Sequence, residues 1–550
     1  MENILNQLKN SSGVKGEIDI SEETLTKYSR DASIFEVRPA CVVHPKDSED
    51  VKALVKFVAS NKEKDPNISI TARSAGTDMS GGPLNEGIIA DFTTHFNSIL
   101  GWGPNFVDIQ PGVYYRDFEP EGLKRGLLLP CYTASKSLNT VGGMVGNNSA
   151  GEKTLAFGQT KDYVEELDVV LSDGSLCTFT DLEQKELEQK LKLPNFEGDV
   201  YRKMYHLIKE NRDLISRARP KTSKNSAGYL LWEIYDGIKF NLAKLFVGSQ
   251  GTLGLVTKIR LRLIEPKPKN ALLVMFLKDT NNLGNIVADV VQHRPESFES
   301  YDDNTLALAV RFLPGMLKKM KGNFLSLAWQ FLPEAWMALT GGMPKLVLIA
   351  EFTGDTQEEV NEKASLLQRE VEGNFHIKTR ICRSEAEVQK YWTIRRESFA
   401  LLRQHVHGKH TAPFIDDIAV LPEKMPQFLP ELNKILDKYK DKMVYTIAGH
   451  AGNGNFHIIP LMNLADASQR MIIPKLSDEV YDLVIRYGGT ITAEHNDGLI
   501  RTPYLEKMYG KQVTDLFQEV KNIFDPHNIF NPGKKVGSNL QYSLDHIKKT

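Results

Sequence analysis

Two short stretches in the second half of the chain hold residues whose types and spacing could bind a metal ion and accept a proton. In the stretch 449–457, His450 and His457 flank a glycine-rich turn. On a straight strand the two imidazoles would face opposite sides, so a turn must aim them at one point. Further on, Glu494 is followed directly by His495. Two imidazoles and a carboxylate form a metal-binding set with open positions, and a metal-free hydrogen-bond network is the alternative.

Three polar, glycine-rich stretches in the first half could bind a large nucleotide cofactor. They are residues 71–82, 130–158 and 248–254, and each lies beside a predicted strand. Glycines let the backbone turn sharply and approach a ligand, and the N–H groups freed in such turns bind phosphates. One such stretch could equally be a surface loop, but three together predict one cofactor held from several sides. None is a G-x-G-x-x-G fingerprint that opens a helix, so a Rossmann dehydrogenase is the weaker interpretation.

These stretches resemble the FAD-binding half of the vanillyl-alcohol oxidase superfamily, whose FAD-binding domain is called PCMH-type. The pattern R-x-x-G-T/H-x-x-x-G matches from Arg73, T-x-G-G-x-x-x-x-N-x-x-G from Thr140, and E/Q-G-T-L-G-x-V/I-T from Gln250. The resemblance implies that FAD contacts Arg73, Ser74, Ala75, Gly76, Thr77, Asp78, Ser80, Thr133, Thr140, Gly142, Gly143, Asn147, Asn148, Gly151, Gly158, Gly251, Val256 and Asn531. Residues 73–82 lack the histidine that often bonds FAD covalently in this family, so non-covalent FAD is expected, with Cys131 as an alternative attachment point.

The histidine-containing stretches resemble the 2-hydroxy-acid dehydrogenase branch, which includes D-lactate, glycolate and D-2-hydroxyglutarate dehydrogenases. Its pattern H-x-G-D/N-G-N-x-H, followed by G-x-I-x-x-E-H, implies that His450, His457 and Glu494 bind a divalent metal, often zinc. The same pattern makes His495 the catalytic base. The sequence departs from the pattern at Asn453 and after His495, and all four chemical residues are kept.

The substrate carboxylate also needs a cation, and the branch supplies an arginine in the pattern W-x-x-R. The match starts at Trp392 and implies Arg395, with Arg396 as the alternative. An exposed pair of helix arginines is the other interpretation. In the hydroxyglutarate enzymes a lysine and an asparagine occupy the positions of Ile415 and Ile459, so a shorter or more apolar acid is favoured here.

The resemblance therefore implies an FAD-dependent oxidoreductase that converts a D-lactate-like 2-hydroxy acid into the 2-oxo acid. The C2 hydride passes to flavin N5, the metal assists, and His495 takes the hydroxyl proton. Two alternatives stay open. One is a non-redox flavoenzyme like the alkylglycerone-phosphate synthases, and the other is a non-catalytic flavin-binding subunit of an oxidase complex.

Composition limits the setting and the partners. The chain has 550 residues, 41% of them apolar, and a net charge of −2, which argues against a general nucleic-acid binder. Its four cysteines form no CxxC pair, so electrons are expected to leave to oxygen, a quinone, an electron-transfer flavoprotein or a separate iron–sulfur protein. The first residues lack a signal-peptide core, which predicts a cytoplasmic protein. The apolar stretch 324–339 is predicted to pack inside the molecule, with a peripheral contact to the inner face of the membrane as the alternative.

The elements that must position these residues predict an α+β protein. We expect a two-subdomain PCMH-type FAD-binding domain over residues 35–266 and an α+β cap domain with an antiparallel sheet over 267–523. An N-terminal segment, 1–34, precedes them, and residues 524–550 return to the FAD domain. The boundary lies in the Pro- and Lys-rich stretch 265–270. A helix capped by Ser48 and strands at 68–70, 255–263, 271–277, 346–352, 415–420, 444–448 and 456–459 are predicted, with a short strand ending at His495.

Overall fold

The computed structural model of the protein describes residues 2–303, 306, 344–405 and 409–549. The apolar stretch 324–339, for which packing inside the molecule or a membrane contact was expected, lies outside these residues. Among the described helices, none combines the length and the apolar character needed to cross a bilayer.

The described strands form three sheets. They are β1 (Glu17–Asp19), β2 (Cys41–His44), β3 (Ile70–Arg73), β4 (Ile88–Asp91), β5 (Ile99–Trp102), β6 (Phe106–Ile109), β7 (Val164–Val170), β8 (Leu176–Thr180), β9 (Leu255–Arg262), β10 (Lys269–Leu277), β11 (Ser297–Asp302), β12 (Leu346–Gly354), β13 (Lys378–Ile381), β14 (His410–Thr411), β15 (Ile418–Ala419), β16 (Val444–His450) and β17 (Asn455–Met462).

The described α-helices pack on these sheets and between them. They span Glu2–Ser11, Glu22–Tyr28, Ser48–Asn61, Tyr115–Leu123, Val141–Asn147, Thr154–Phe157, Gln184–Leu191, Phe196–Glu210, Arg212–Ala218, Ala243–Phe246, Leu283–Gln292, Gln357–Phe375, Glu385–His405, Met425–Asp437, Ala467–Arg470, Ile472–Arg486, Gly498–Arg501, Leu505–Tyr509, Lys511–Phe524 and Leu540–Asp545.

The first half of the chain builds two sheets. The four-stranded sheet has the order β1-β2-β4-β3, in which β2, β4 and β3 run parallel and β1 runs antiparallel to β2. The second is an antiparallel sheet of five strands in the order β5-β6-β9-β7-β8. Residues along β9 alternate between buried and half-buried, as expected for a strand with one face on a core. This alternation confirms the strand predicted after the third glycine-rich stretch.

The cap is built on an eight-stranded antiparallel sheet. Its order is β13-β10-β12-β11-β16-β17-β14, and β15 also pairs with β17. The central strand β10 is apolar along almost its whole length because both of its faces are covered. Leu273 and Met275 pack into one core, while Leu272 and Val274 pack into another on the opposite face. The predicted α+β class is confirmed.

The C-terminal segment returns to the first sheet. The Ile70 N–H donates to the Ile529 carbonyl at 2.7 Å, and the Asn531 N–H donates to the Ile70 carbonyl at 2.9 Å. Residues 529–531 therefore lie alongside β3 and are hydrogen-bonded to it. The division of the chain at residues 34, 266 and 523 stays a prediction.

Local details differ from the sequence-based expectations. The N-cap of helix Ser48–Asn61 is Asp47, whose carboxylate accepts from the Asp50 N–H. The strand expected at 415–420 is only β15, because Asp417 has a left-handed backbone with φ 66°. Glu494 and His495 lie in a loop rather than at the end of a strand. Their N–H groups donate to the Asp417 carboxylate and not to a neighbouring strand.

Candidate active site

A cleft with an empty volume of about 2130 Å³, partly open to solvent, lies between the glycine-rich stretches and the cap sheet. From the cap, its lining includes His450, His457, Glu494, His495 and Arg395. From the first half, the lining includes Arg73, Ser74, Ala75, Gly76, Thr77, Asp78, Thr133, Thr140, Gly142, Gly143, Asn147, Gly151, Gly251 and Val256. The structure thus brings most of the expected cofactor residues and all the expected chemical residues to one cavity.

Four expected cofactor residues are absent from this described lining and support its loops instead. Ser80 is fully buried and donates to the Asp78 carboxylate at 2.8 Å, while Asn148 ends helix Val141–Asn147 in the left-handed conformation. Gly158 closes a short helix with φ 80°. Asn531 donates from Nδ2 to the carbonyls of Gly82 and Gln250. These four residues fix the backbone that borders the cleft.

The glycine-rich stretches are held by backbone geometry and local hydrogen bonds. A side chain at Gly142 would place its Cβ 2.6 Å from the Pro111 carbonyl oxygen, so no larger residue fits there without movement. Asp78 gathers the N–H groups of Ser80 and Gly82 on one carboxylate oxygen, and the Asn147 amide donates to the other. The result is a polar cradle of glycine turns, which fits the phosphates and the flat ring system of FAD.

Part of the second glycine-rich stretch is helical rather than an open loop. Residues Val141–Asn147 form a helix because the Thr140 hydroxyl accepts from the Gly143 N–H at its start. Arg73 lines the cleft, and its role as a cofactor contact stays a prediction. Its guanidinium donates to the carbonyls of Tyr28 and Arg30, which fastens the N-terminal segment to the first stretch.

At the cap side of the cleft, three imidazoles converge on one carboxylate oxygen. From Glu494 Oε1, the Nε2 atoms lie 3.4 Å away for His450, 3.3 Å for His457 and 3.7 Å for His495. The turn 451–454 makes this possible, because Gly454 adopts φ 61° and folds β17 back along β16. His450 and His457 then share one face of the two-stranded ribbon.

Buried acids hold the outer nitrogens of the same rings. His450 Nδ1 is 2.5 Å from Glu299 Oε1, and His457 Nδ1 is 3.1 Å from Asp416 Oδ1. His495 Nδ1 lies 3.0 Å from Asp416 Oδ2. A carboxylate only accepts, so the proton of neutral His450 and of neutral His457 belongs on Nδ1, and their Nε2 lone pairs face Glu494. This is the outer arrangement that metal-binding histidines require.

Burial and charge act against each other on these groups. Burial lowers the pKa of His457, but the carboxylates of Asp416 and Glu494 outweigh burial and raise this pKa to about 10. Burial raises the pKa of Glu494, and the charges of Lys224 and His450 outweigh it, so this pKa lies well below its usual range. The cluster therefore stabilises positive charge at the imidazoles. Nitrogen and carboxylate donors with this bias fit a divalent cation such as zinc.

Asp417 also lies close enough to His457, Glu494 and His495 to be considered a ligand. Its Oδ2, however, accepts from the Thr492 hydroxyl at 2.7 Å and from the N–H groups of residues 493, 494 and 495 at 2.7–2.9 Å. An oxygen that accepts from four donors has no lone pair to offer a metal, and the other oxygen, Oδ1, accepts from the Asn455 amide at 3.2 Å. We therefore assign Asp417 to holding the loop, and His450, His457 and Glu494 stay the predicted ligands.

Lys224 fixes the second oxygen of Glu494. Its ammonium group is fully buried and lies 2.9 Å from Glu494 Oε2. The amide oxygen of Asn455, at 3.4 Å, and the Gly151 carbonyl, at 3.5 Å, complete its surroundings. With Oε2 taken, Glu494 presents Oε1 alone to the imidazoles.

Both candidate arginines line the cleft, and each has an acidic partner. Nε and Nη2 of Arg395 lie 3.1 Å from Glu299 Oε2. Arg396 makes a two-point contact with Glu152, which also accepts from the Tyr132 hydroxyl at 3.1 Å. Arg395 shares its acid with His450, so it is the arginine more closely tied to the cluster.

Sequence reasoning missed the buried groups that support the cluster. They are Glu152, Lys224, Glu299, Asp416 and Asp417. Only two signals pointed to them. The adjacent acids Asp416 and Asp417 interrupt an apolar run, and Lys224 begins the pattern K-N-x-x-G-Y, which resembles a segment of the lactate and glycolate branch. Glu299 carries no local signal, because its partners lie about a hundred residues away or more along the chain.

Two protein-family models match the chain. Residues 39–180 match the family described as "FAD binding domain", and residues 266–535 match "FAD linked oxidases, C-terminal domain". The two matches cover most of the chain, which belongs to the FAD-linked oxidases with a PCMH-type FAD-binding domain. The resemblance inferred from the three glycine-rich patterns and the histidine stretches is confirmed.

Several named relatives are at least 25% identical to the chain over the aligned residues. D-2-hydroxyglutarate dehydrogenase of Pseudomonas putida is 29% identical over 96% of this chain and 51% of its own length, so the chain spans about half of that relative. Glycolate oxidase subunit GlcD of Bacillus subtilis is 26% identical over 92% of this chain and 91% of its own. D-lactate dehydrogenase of Anaerostipes hadrus is also 26% identical, over 90% and 89%.

Solved structures share the fold at low identity. 4-Ethylphenol oxidase from Gulosibacter chungangensis aligns over 98% of both chains with a TM-score of 0.68 and 13% identity. An alkyldihydroxyacetonephosphate synthase aligns over 97% of this chain and 86% of its own, with a TM-score of 0.66 and 14% identity.

Proposed function

We propose that the protein is an FAD-dependent dehydrogenase that oxidises a D-lactate-like 2-hydroxy acid to the 2-oxo acid. The observation that carries this proposal is the convergence of three imidazole Nε2 atoms on Glu494 Oε1 at the end of a cleft built from FAD-binding loops. A flavin site alone would suit many reactions. An adjoining cluster with metal ligands and a base suits the removal of a proton and a hydride from a secondary alcohol.

When bound, FAD supplies the hydride acceptor, and a divalent metal on His450, His457 and Glu494 lowers the pKa of the substrate hydroxyl. The protein's own groups do the rest. His495 takes the hydroxyl proton on Nε2, since its Nδ1 faces Asp416 at 3.0 Å. Arg395 binds the substrate carboxylate, because guanidinium N–H pairs match the geometry of a carboxylate.

The walls of the cleft favour a monocarboxylate with a short substituent. Thr446, Ala448 and Ile459 lie on the same face of the β16–β17 ribbon as the two histidines and line the cleft. A second carboxylate would need a further cation beside Arg395. Ile415 plays no part in this choice, since it is fully buried in the cap core. The metal is proposed to be zinc, and the FAD to be non-covalent, because Cys131 is buried and hydrogen-bonded to Thr160.

The test is anaerobic titration of the FAD-loaded protein with D-lactate, L-lactate and D-2-hydroxyglutarate, followed by the visible flavin absorbance. We expect D-lactate to bleach the flavin, a chelator to abolish the bleaching, and added zinc to restore it. Preferential reduction by D-2-hydroxyglutarate would overturn the assigned substrate. No reduction by any hydroxy acid would favour the non-redox synthase or a non-catalytic subunit. Flavin released by acid precipitation would support non-covalent binding.

A further inference from the structure

Glu299 contacts two functional groups that lie on different elements of the cap. Its Oε1 is 2.5 Å from Nδ1 of His450, at the end of β16, and its Oε2 is 3.1 Å from Nε of Arg395, on helix Glu385–His405. The side chain is only 1% exposed, so water does not compete for either oxygen. One carboxylate therefore serves a predicted metal ligand and the predicted carboxylate-binding residue, with one oxygen for each.

The sheet explains why this acid can reach both groups. Strand β11 pairs antiparallel with β16, and Ser300 lies opposite Gly449. Glu299, one residue before Ser300, therefore lies close to His450, one residue after Gly449. Nη2 of Arg395 is also 3.1 Å from Glu299 Oε2. Both nitrogens on one edge of the guanidinium thus contact a single oxygen of Glu299, and Arg395 lines the cleft.

We propose that Glu299 is a positioning residue that couples metal binding to binding of the substrate carboxylate. By accepting the Nδ1 proton, it keeps Nε2 of His450 as the nitrogen with the lone pair toward Glu494. By holding Arg395, it presents a guanidinium edge to the substrate. Both tasks need an acceptor, and Glu299 has one for each. The inference rests on the proposed function, because it assigns roles within the same site.

The substitution Glu299→Gln separates the two tasks, since an amide has one acceptor oxygen and one donor nitrogen. If the amide oxygen faces Arg395, its NH₂ faces Nδ1 of His450, and the ring proton must move to Nε2, where it blocks a metal. If the oxygen faces His450, the NH₂ opposes the guanidinium and displaces Arg395. The variant can satisfy one partner only, and a charged donor is the stronger competitor for the oxygen.

The experiment measures metal affinity and steady-state kinetics on FAD-loaded protein stripped by a chelator, with an artificial dye as the acceptor that reoxidises the flavin. For E299Q, zinc affinity is expected to fall about 10- to 100-fold, as for other outer partners of metal ligands. At saturating zinc the amide must turn toward His450, so KM for D-lactate is expected to rise about tenfold or more while kcat changes less. Zinc bound per flavin, measured by elemental analysis, gives a readout independent of activity.

The matched control is Glu351→Gln. Glu351 is a buried acid on the neighbouring strand β12, and its hydrogen-bond partners are Asn270 and Ser297 rather than His450 or Arg395. E351Q is expected to keep zinc affinity and KM within about twofold of the parent. E299D, which keeps both oxygens, is expected to hold zinc better than E299Q.

The possible outcomes distinguish failure of the proposed dehydrogenase function from failure of the coupling role of Glu299. A parent protein that binds no metal and is not reduced by hydroxy acids refutes the proposed function. A parent that does both, with E299Q unchanged in zinc affinity and KM, overturns the coupling alone. Equal loss of zinc, substrate binding and FAD in E299Q and E299D also overturns it, because Glu299 would then only maintain the fold.

Discussion

The two walls of the cleft are built by different means. The wall from the first half consists of glycine turns, short polar side chains and backbone N–H groups, as in the Asp78 turn. The cap wall also has uncharged side chains, but its chemical groups are charged, and buried acids hold the rings of His450 and His457 from behind. The first wall tolerates little added volume. The second tolerates little unpaired charge, since an isolated buried ion is far more costly than a paired one.

The two walls also differ in how far apart in the sequence their contacting residues lie. The contacts of a glycine turn are made within a few residues, so its pattern stays together in the sequence. The acid that orients His450 is 151 residues away, and the lysine that pairs with Glu494 is 270 residues away. The geometry of the reactive groups on the cap wall therefore depends on the correct pairing of β11, β16 and β17 in the sheet.

The strongest test of the contrast is His495→Ala. Removing the base should lower the rate of flavin reduction by about 10²- to 10⁴-fold, because general-base catalysis contributes that much. Bound FAD should be unchanged, since His495 belongs to the other wall. Stopped-flow reduction by D-lactate measures the effect, with His293→Ala as the control because that histidine pairs with Glu370 at the surface. Normal reduction by the alanine variant would remove His495 from the mechanism.

Lys224→Met should show how much the cap wall depends on paired charge. The change leaves Glu494 Oε2 without its buried partner, and breaking such a pair costs about 3–5 kcal/mol. We expect a large drop in the free energy of unfolding, measured by urea denaturation. The exposed Lys221→Met is the control. A stability equal to that of the parent would mean that the ion pair contributes nothing.

Glu494→Gln tests the predicted ligand itself. The amide keeps the size of the side chain and can still accept from Lys224, but it loses the charge that draws a divalent cation. Loss of an outer partner of a metal ligand lowers metal affinity about 10- to 100-fold, and loss of the ligand itself should lower zinc affinity by at least that much. Bound FAD should be retained. Elemental analysis after dialysis measures the bound zinc. Treatment of the parent protein with a chelator should likewise remove the zinc and leave the FAD bound. Full zinc occupancy in the variant would exclude Glu494 as a ligand.

The smallest expected effect comes from one added methyl group on the glycine wall. Gly142→Ala forces a Cβ to within 2.6 Å of the Pro111 oxygen, so about 1–3 kcal/mol of stability and part of the bound FAD should be lost. Gly373→Ala is the matched control, in an exposed part of helix Gln357–Phe375 with no atom within 4 Å of the new carbon. It should gain about 0.5–1 kcal/mol. Thermal melts and flavin content measure both, and equal behaviour would contradict the steric argument.

Much of this arrangement could be predicted from local patterns. The glycine-rich stretches, the strands beside them and the four chemical residues all form short motifs. Arg73 stays a predicted cofactor contact, but its hydrogen bonds to the carbonyls of Tyr28 and Arg30 could not be predicted, because no pattern near Arg73 reveals which distant carbonyls will need a donor. The loop around Glu494 was predicted as a strand end for a similar reason. Its shape is set by Asp417, whose left-handed backbone is visible only in three dimensions.

The return of the C-terminal segment to β3 has a consequence for biosynthesis. The Thr71 hydroxyl and the Asn531 amide oxygen meet at 3.1 Å although 460 residues separate them, and Asn531 also binds the Gly82 carbonyl. During translation, the first glycine-rich stretch leaves the ribosome long before Asn531 exists. The hydrogen bonds that Asn531 makes to this stretch can therefore form only after the residues between them have been translated.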